Sequence, residues 1–402
     1  MSFRISHIHE YDRFISLDLG SYRVRASLYT LKEGKLSLEW VSSVRQHKKN
    51  MEWGSIADMQ GVADCIDRAI HEACRHVKDI PDDIIVGFSP MTCIHDHMVS
   101  QYMREDEAAP LTMEELDMMI EKIEKSSLQR AKEKAKTEYG VIHDDIRLIS
   151  STLTSIMIDG KNVTHAIGLP GKYVRIHVLN IFALASEYNV LRSIIASLKK
   201  RPISLVPIPL LFSKIIEKTK MSEEETIFID IGYSNVTIVF QKDQEITFFD
   251  TFEIGSKMLI DILQSALPDM SYTSLENLLM RQNPESSESL IRESSTHEYL
   301  TYVIDTLLSV LMRSGDSMKM KNVCISGGIF ASAWIEKIFF SILSESIGYT
   351  VRHMRLGDGL LSTPMPAEYI LNAGLAELGR ELLHTKKDPI IRILRYTLYH
   401  YE

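Results

Sequence analysis

The feature that most constrains the fold is a repeated strand–turn–strand stretch. The segment "FISLDLGSYRVRASLY" begins at Phe14, and "TIFIDIGYSNVTIVFQ" begins at Thr226. When shifted by 212 positions, the distance from Asp18 to Asp230, the two stretches align aspartate on aspartate and glycine on glycine. In each stretch apolar residues recur along both strands, and a polar turn joins the strands. The sequence therefore predicts two lobes that each begin with the same hairpin.

Length and composition permit two such lobes. The chain has 402 residues, of which 45% are hydrophobic and 25% charged, as in an ordinary globular protein. The formal net charge of -9 argues against a general attraction to nucleic acid, so we expect no nucleic-acid partner. The four cysteines have no metal-ligand spacing and predict no disulfide, and no apolar run reaches the length of a spanning helix. We expect a cytoplasmic protein body.

Hydrophobic periodicity predicts how the lobes are divided. The first meander, a helix and the strand "DIIVGFS" predict a β-β-β-α-β unit. From Met91 to Leu169 a long charged helix, a strand pair and a "GLPGK" turn predict an inserted α/β subdomain. A proline-marked segment, "ISLVPIPLLFSKIIEKTK", is expected to cross between the lobes before the second meander begins.

The repeated aspartates suit a metal ion. Mg²⁺ keeps several of its waters and is often held through one or two carboxylates, so Asp18 and Asp230 are predicted to face the ion. Aspartate and glycine are also favoured residues in simple hairpin turns, and such turns are the alternative explanation. The presence of two equivalent copies, together with the glycine pair Gly327 and Gly328 after a later strand, favours a shared ligand site.

The residues after each aspartate suit phosphate. Gly20 and Gly232 let the backbone turn tightly and approach a ligand closely. The amide groups of the turns and the hydroxyls of Ser21 and Ser234 can then donate hydrogen bonds to phosphate oxygens. Two such turns from opposing lobes are predicted to clamp a nucleotide triphosphate.

These motifs and their order resemble the actin, Hsp70 and sugar-kinase superfamily, and within it the family of the bacterial cell-division protein FtsA. "LDLGSYRV", "IDIGYSNV" and "ISGG" are similar to the phosphate-1, phosphate-2 and adenosine motifs. "FEIGSKMLIDI" resembles the segment before the subdomain 2B helices, and the insertion that ends in "GLPGK" lies where FtsA has subdomain 1C. The resemblance covers nearly the whole chain.

The resemblance implies an α/β, two-lobed actin-like (ribonuclease H-like) fold with an FtsA-type inserted 1C subdomain. The implied divisions are subdomain 1A over 13–90, 170–220 and 355–380; 1C over 91–169; 2A over 221–255 and 319–354; 2B over 256–318; and a C-terminal amphipathic helix over 386–402.

The resemblance also implies that ATP with Mg²⁺ binds between the lobes. Tyr233 and Leu279 replace a glycine and a lysine of the family pattern, so we expect at most a weak ATPase. Among the implied contacts, Glu276 would lie near the ribose, and Asp18 and Asp230 nearest the metal. The full set is Asp18, Gly20, Ser21, Tyr22, Asp230, Gly232, Ser234, Asn235, Gly255, Glu276, Gly327 and Gly328.

The C-terminal stretch "KKDPIIRILRYTLYHYE" predicts an amphipathic helix. Asp388 suits the N-cap and Pro389 the first helical position. The large apolar residues share an arc of roughly 160° on a helical projection. Such a helix can lie in a membrane interface, dock on its own protein or bind a partner; the FtsA pattern favours the membrane. The apolar residues are Ile390, Ile391, Ile393, Leu394 and Leu398.

The function implied by the resemblance is that of a cytoskeletal scaffold. It would bind ATP, assemble head to tail into a filament through the insertion, and tether FtsZ or other division proteins to the inner face of the cell membrane. A PilM-like pilus-assembly protein that binds a partner peptide is the related alternative. A sugar or acyl kinase of the same fold would need a catalytic carboxylate in the cleft and a substrate-shaped insertion.

Overall fold

The computed structural model describes residues 12–52, 54–89, 93–138, 140, 145–163, 165–216, 225–242, 245–281, 286–313, 321–348, 351–355 and 367–384. The predicted C-terminal helix over 386–402, with Ile390, Ile391, Ile393, Leu394 and Leu398, lies outside these residues. None of the helices within them is both long enough and apolar enough to cross a membrane.

The described chain contains both strands and helices. In chain order they are β1 (Asp12–Leu19), β2 (Arg23–Lys32), β3 (Lys35–Arg45), β4 (Met51–Glu52), β5 (Ser55–Ile56), α1 (Met59–Ala73), β6 (Asp83–Phe88), β7 (Ile94–Met103), α2 (Met113–Glu138), β8 (Ile146–Ile158), β9 (Lys161–Asn162), β10 (Tyr173–Leu184), α3 (Ala185–Ser197), β11 (Arg201–Pro207), α4 (Pro209–Ile216), β12 (Thr226–Ile231), β13 (Val236–Lys242), β14 (Glu245–Phe252), α5 (Ser256–Ala266), α6 (Tyr272–Met280), α7 (Ser286–Arg313), β15 (Asn322–Ser326), α8 (Ala333–Ile347), β16 (Arg352–Arg355) and α9 (Ile370–His384).

The first lobe is built on a five-stranded sheet with the order β11-β6-β1-β2-β3. Its central strand β1 pairs with β2 in antiparallel fashion and with β6 in parallel fashion. Asp58 is the N-cap of helix α1, and its carboxylate accepts a hydrogen bond from the Gly61 amide. The apolar side of α1 packs on β2 and β3. Helix α9 packs on β1 and β6. The sheet therefore directs the carboxyl end of β1, with Asp18, toward one edge of the lobe.

The second lobe repeats this plan. Its sheet has the order β14-β13-β12-β15-β16, with β13 antiparallel and β15 parallel to the central strand β12. Asp230 has the same position on β12 as Asp18 has on β1, so the predicted internal repeat is confirmed. The predicted crossing segment contains α4, which packs on α9 of the first lobe and on β13 and β14 of the second. Phe212 of α4 stacks on Phe228 at 5.3 Å between ring centroids.

The insertion forms a subdomain with its own four-stranded sheet, β7-β10-β8-β9. The predicted charged helix is α2, which packs against β7, β8 and β10. A separate apolar cluster that includes Leu116, Ile120 and Ile176 lies between helix and sheet. Strand β10 pairs with β7 as far as Phe182 and with β8 as far as Leu184. This strand of the insertion sheet thus lies beyond the boundary predicted at Leu169, because periodicity identifies a strand but not the sheet that it joins.

Gly327, directly after β15, has a backbone conformation that only glycine adopts easily. Its φ is +113°, and a Cβ atom there would lie 2.1 Å from the Ile231 carbonyl oxygen. We predict that Gly327→Ala lowers the free energy of unfolding, measured by urea denaturation, by at least roughly 1–3 kcal/mol from strain alone. Gly328→Ala is the matched control, since a Cβ there meets nothing within 4 Å and the expected change is within about 0.5 kcal/mol. Equal losses in both variants would contradict this assignment.

Candidate functional site

The two repeated turns have the same internal geometry. The Gly20 amide donates to the Arg23 carbonyl at 3.1 Å, and the Gly232 amide donates to the Asn235 carbonyl at 2.9 Å. A Cβ atom on Gly20 would lie 2.8 Å from the Arg23 carbonyl oxygen, and one on Gly232 would lie 3.0 Å from the Asn235 carbonyl oxygen. A side chain at Gly20 would therefore clash with its turn, and one at Gly232 would require its turn to shift by a few tenths of an ångström.

The turns face each other across a cleft of about 520 Å³ between the lobes. Gly255 does not line this cleft; its Cβ position lies 2.3 Å from the Tyr233 carbonyl oxygen, so it lets α5 pack under the second turn. The structure brings the other predicted residues together, and their roles in binding remain predictions. Those lining the cleft are Asp18, Gly20, Ser21, Tyr22, Asp230, Gly232, Ser234, Asn235, Glu276, Gly327 and Gly328.

The two aspartates are compensated by neighbouring protein groups. Arg25 Nη1 lies 3.2 Å from Asp18 Oδ2, and the Ser326 hydroxyl donates to Asp230 Oδ1. Burial raises the pKa of Asp18, against the opposing effect of Arg25. Burial also raises the pKa of Asp230 to about 6; the Ser326 hydrogen bond opposes this rise, and the nearby Asp18 charge adds to it.

These contacts do not fit a bound Mg²⁺ in the conformation described. A metal ion at Asp18 would have to displace the Arg25 guanidinium, whose Nε is buried without a hydrogen-bond partner. Among the described residues, no three acidic, histidine or cysteine side chains are grouped to hold a metal ion. The metal role of Asp18 and Asp230 therefore remains a prediction.

The phosphate position between the turns is closed. Ser234 Oγ donates to Ser21 Oγ at 2.8 Å, so the two hydroxyls predicted to hold phosphate hold each other. Tyr233, expected to obstruct phosphate, packs its ring on Tyr22 with centroids 4.9 Å apart and shares a 2.8 Å hydrogen bond with the Tyr272 hydroxyl. A phosphate group can enter here only if the turns separate.

Glu276, predicted to lie near a ribose, is bound to the first lobe. Arg45 Nη2 lies 2.9 Å from both carboxylate oxygens, and the Tyr22 hydroxyl donates to Oε2 at 3.2 Å. The Arg45 guanidinium also lies over the Tyr22 ring, 4.8 Å from its centroid. Sequence reasoning missed Arg45, since nothing local connects it to a residue so distant in sequence. Arg25 could have been found, because it pairs directly with Asp18 in the hairpin register.

Comparison with known proteins identifies the fold. No family model matches the sequence, and no curated protein matches it. The PilM-PilN type IV pilus biogenesis complex superposes with a TM-score of 0.66 at 12% identity, covering 91% of this chain and 98% of that one. The chain has the actin-like fold. The predicted two-lobed α/β class is thereby confirmed, whereas the closer resemblance to FtsA remains a prediction.

Other actin-like structures also superpose over most of the chain. The ethanolamine utilization protein EutJ from Carboxydothermus hydrogenoformans matches with a TM-score of 0.50 at 10% identity, covering 91% of this chain and 89% of that one. Diol dehydratase-reactivating factor matches with a TM-score of 0.50 at 8% identity, covering 92% of this chain and all of that one. At such identities the similarity establishes the actin-like architecture alone.

The raised pKa of Asp230 predicts how stability depends on pH. Between about pH 4 and 6 the Asp230 carboxyl is deprotonated in the unfolded state but still protonated in the folded state. The free energy of unfolding therefore falls as the pH rises through this range. We expect Asp230→Asn to be more stable than wild type at pH 7 by at most roughly 3 kcal/mol, with no difference near pH 3. Urea titrations across pH measure this difference. Asp64→Asn, at an exposed position of α1, is the control and should show the wild-type dependence of stability on pH. If Asp230→Asn also showed the wild-type dependence, the raised pKa of Asp230 would be contradicted.

Proposed function

We propose that the protein is an actin-like assembly scaffold that meets its partners through the inserted subdomain and binds ATP in the cleft as an effector. The observation that carries this proposal is the uncovered face of the insertion sheet. On one side of that sheet α2 covers the apolar residues; on the other, apolar side chains remain exposed. We expect the protein to act on the cytoplasmic face of the cell membrane.

The uncovered face is formed by alternate residues of β7 and β10. Val99, Met103 and Tyr173 are 51%, 69% and 42% exposed, and Met103 pairs directly with Tyr173 across the strands. Between them, Arg175 Nη2 donates to Gln101 Oε1 at 2.9 Å. A solvated antiparallel sheet usually presents polar side chains to water. Apolar groups with a central guanidinium are instead typical of a protein interface.

The cleft supports an effector site better than a catalytic one. Each aspartate at the end of a central strand is already engaged, Asp18 by Arg25 and Asp230 by Ser326. A kinase needs a free carboxylate near the acceptor hydroxyl of its substrate. The sugar or acyl kinase is therefore not the function that we propose.

Two versions of the scaffold differ in the partner that the protein would bind. In the PilM-PilN complex a protein of this architecture is assembled with a partner, which supports a PilM-like adaptor that binds a partner segment. The FtsA-like version would tether FtsZ or another division protein through the predicted C-terminal helix. The adaptor is the version we favour on the comparison, and the tether depends on membrane binding by residues 386–402.

The uncovered face should mediate head-to-tail self-association. Val99→Lys with Met103→Lys places two charges on this face, and we expect it to raise the concentration needed for association at least tenfold. Analytical ultracentrifugation of the full chain with ATP, with and without lipid, measures the change. Met118→Lys, on an equally exposed position of α2, is the matched control and should behave as wild type. Equal association of all three proteins would exclude this face.

Membrane binding separates the tether from the adaptor. If the protein is a tether, we expect the full chain to co-sediment with anionic vesicles, and both a chain truncated after Lys387 and the Ile393→Glu, Leu394→Glu variant to stay in solution. Charges in the apolar arc would prevent its burial at the interface. A paired Arg392→Gln variant keeps the arc and should lose only part of the binding, through weaker attraction to anionic lipid. Failure of the full chain to bind would leave the adaptor and exclude the tether.

A further inference from the structure

We infer that contacts around Glu276 form a latch between the lobes, and that a nucleotide must displace Arg45 from Glu276 to enter the cleft. This inference rests on the proposed effector role of the cleft and concerns how access to it is regulated. We define the latch as Tyr22 and Arg45 of the first lobe with Tyr233, Tyr272 and Glu276 of the second.

The ion pair is the outer part of the latch. Arg45 is at the end of β3 and Glu276 is on α6, and the 2.9 Å contacts join the two lobes directly. The Glu276 side chain is only 13% exposed, whereas that of Arg45 is 40% exposed. A poorly hydrated carboxylate needs a partner, but its guanidinium partner can return to water at little cost. Arg45 is therefore the replaceable member of the pair.

The aromatic side chains connect the ion pair to the turns. The Tyr22 ring contacts both the Arg45 guanidinium and the Tyr233 ring, and the Tyr22 hydroxyl donates to Glu276. Tyr233 in turn shares a hydrogen bond with Tyr272, over whose ring Lys48 Nζ lies at 4.3 Å. Tyr22 directly follows Ser21, and Tyr233 directly precedes Ser234. Separating the two rings therefore separates the two serine hydroxyls that close the phosphate position.

The latch and a nucleotide compete for the same groups. Glu276 is the group that would accept ribose hydroxyls, and Ser21 and Ser234 are those that would donate to phosphate, yet all three are used across the lobes. Aromatic contacts are weak, and a ligand that hydrogen-bonds to Glu276 can take the place of the partly exposed Arg45 guanidinium, so ligand binding can open such a latch. The apparent affinity for nucleotide is then the affinity of the open state multiplied by the fraction of molecules that are open. Weakening the latch should raise apparent affinity.

The test compares Arg45→Met with wild type and with Arg13→Met. Arg13 forms a similarly exposed 3.0 Å ion pair with Glu39 in the same lobe, and neither residue lines the cleft, so it controls for loss of a surface charge. Titration with fluorescent mant-ATP, with Mg²⁺ and with chelator, measures affinity. We expect Arg45→Met to bind about 3- to 10-fold more tightly than the other two proteins. Equal or weaker binding by Arg45→Met overturns the competition. No binding by any of the three proteins overturns the proposed effector role of the cleft, and the competition with it.

A second measurement needs no nucleotide. Small-angle X-ray scattering of the unliganded full chains should show a larger radius of gyration for Arg45→Met than for wild type and Arg13→Met. An unchanged radius overturns the latch. A wrong scaffold proposal can be told apart from a wrong latch proposal. The scaffold proposal is tested by self-association through the face at Val99 and Met103. The latch test measures only nucleotide affinity and lobe separation.

Discussion

The structure depends on two carboxylates that lie where the central strands of two sheets end facing each other, Asp18 buried and Asp230 half-buried. They hold equivalent positions on β1 and β12, and each precedes a tight turn that contains a glycine. Carboxylates withdrawn from water require compensation, and Arg25 and Ser326 supply it. The same geometry brings Ser21 onto Ser234, so the lobes meet through the turns themselves. The other contacts between the lobes are possible because the two turns lie so close together. They include the Tyr22–Tyr233 pair and the Arg45–Glu276 ion pair.

The inserted subdomain is largely independent of that cleft. Its helix α2 and sheet enclose an apolar cluster of their own, separate from the cores of the two lobes. His95 of β7 marks one place where the insertion meets the second lobe, since its ring packs on Phe249 at 4.4 Å and burial lowers its pKa to about 3. A neutral, buried imidazole acts there as an apolar packing group. The side chains of the uncovered face, Val99, Met103 and Tyr173, are exposed.

The fold and the function are set by different parts of the molecule. Actin-like structures as different as the PilM-PilN complex, EutJ and diol dehydratase-reactivating factor superpose on this chain at about a tenth identity. What they share with this chain at that identity is the fold. The local features of this chain are a guanidinium paired with the first aspartate, tyrosines against the turns, and an apolar face on the insertion. Function follows from such sites more than from the architecture that carries them.

The sequence by itself determined the two-lobed fold, because alternating apolar residues and the glycine turns are local properties that repeat at Asp18 and Asp230. It also located the cleft, since equivalent strands in equivalent sheets must end at equivalent edges. It even contained the Asp18–Arg25 pair, whose register is set by a tight hairpin. Only the tertiary structure decided that β10 joins the insertion sheet, that Arg45 reaches Glu276, and that Tyr233 packs on Tyr22. Those contacts join residues that are far apart in the chain. The free energy that favours them comes from burial of side chains between elements of the fold, and a local sequence pattern carries no information about that burial.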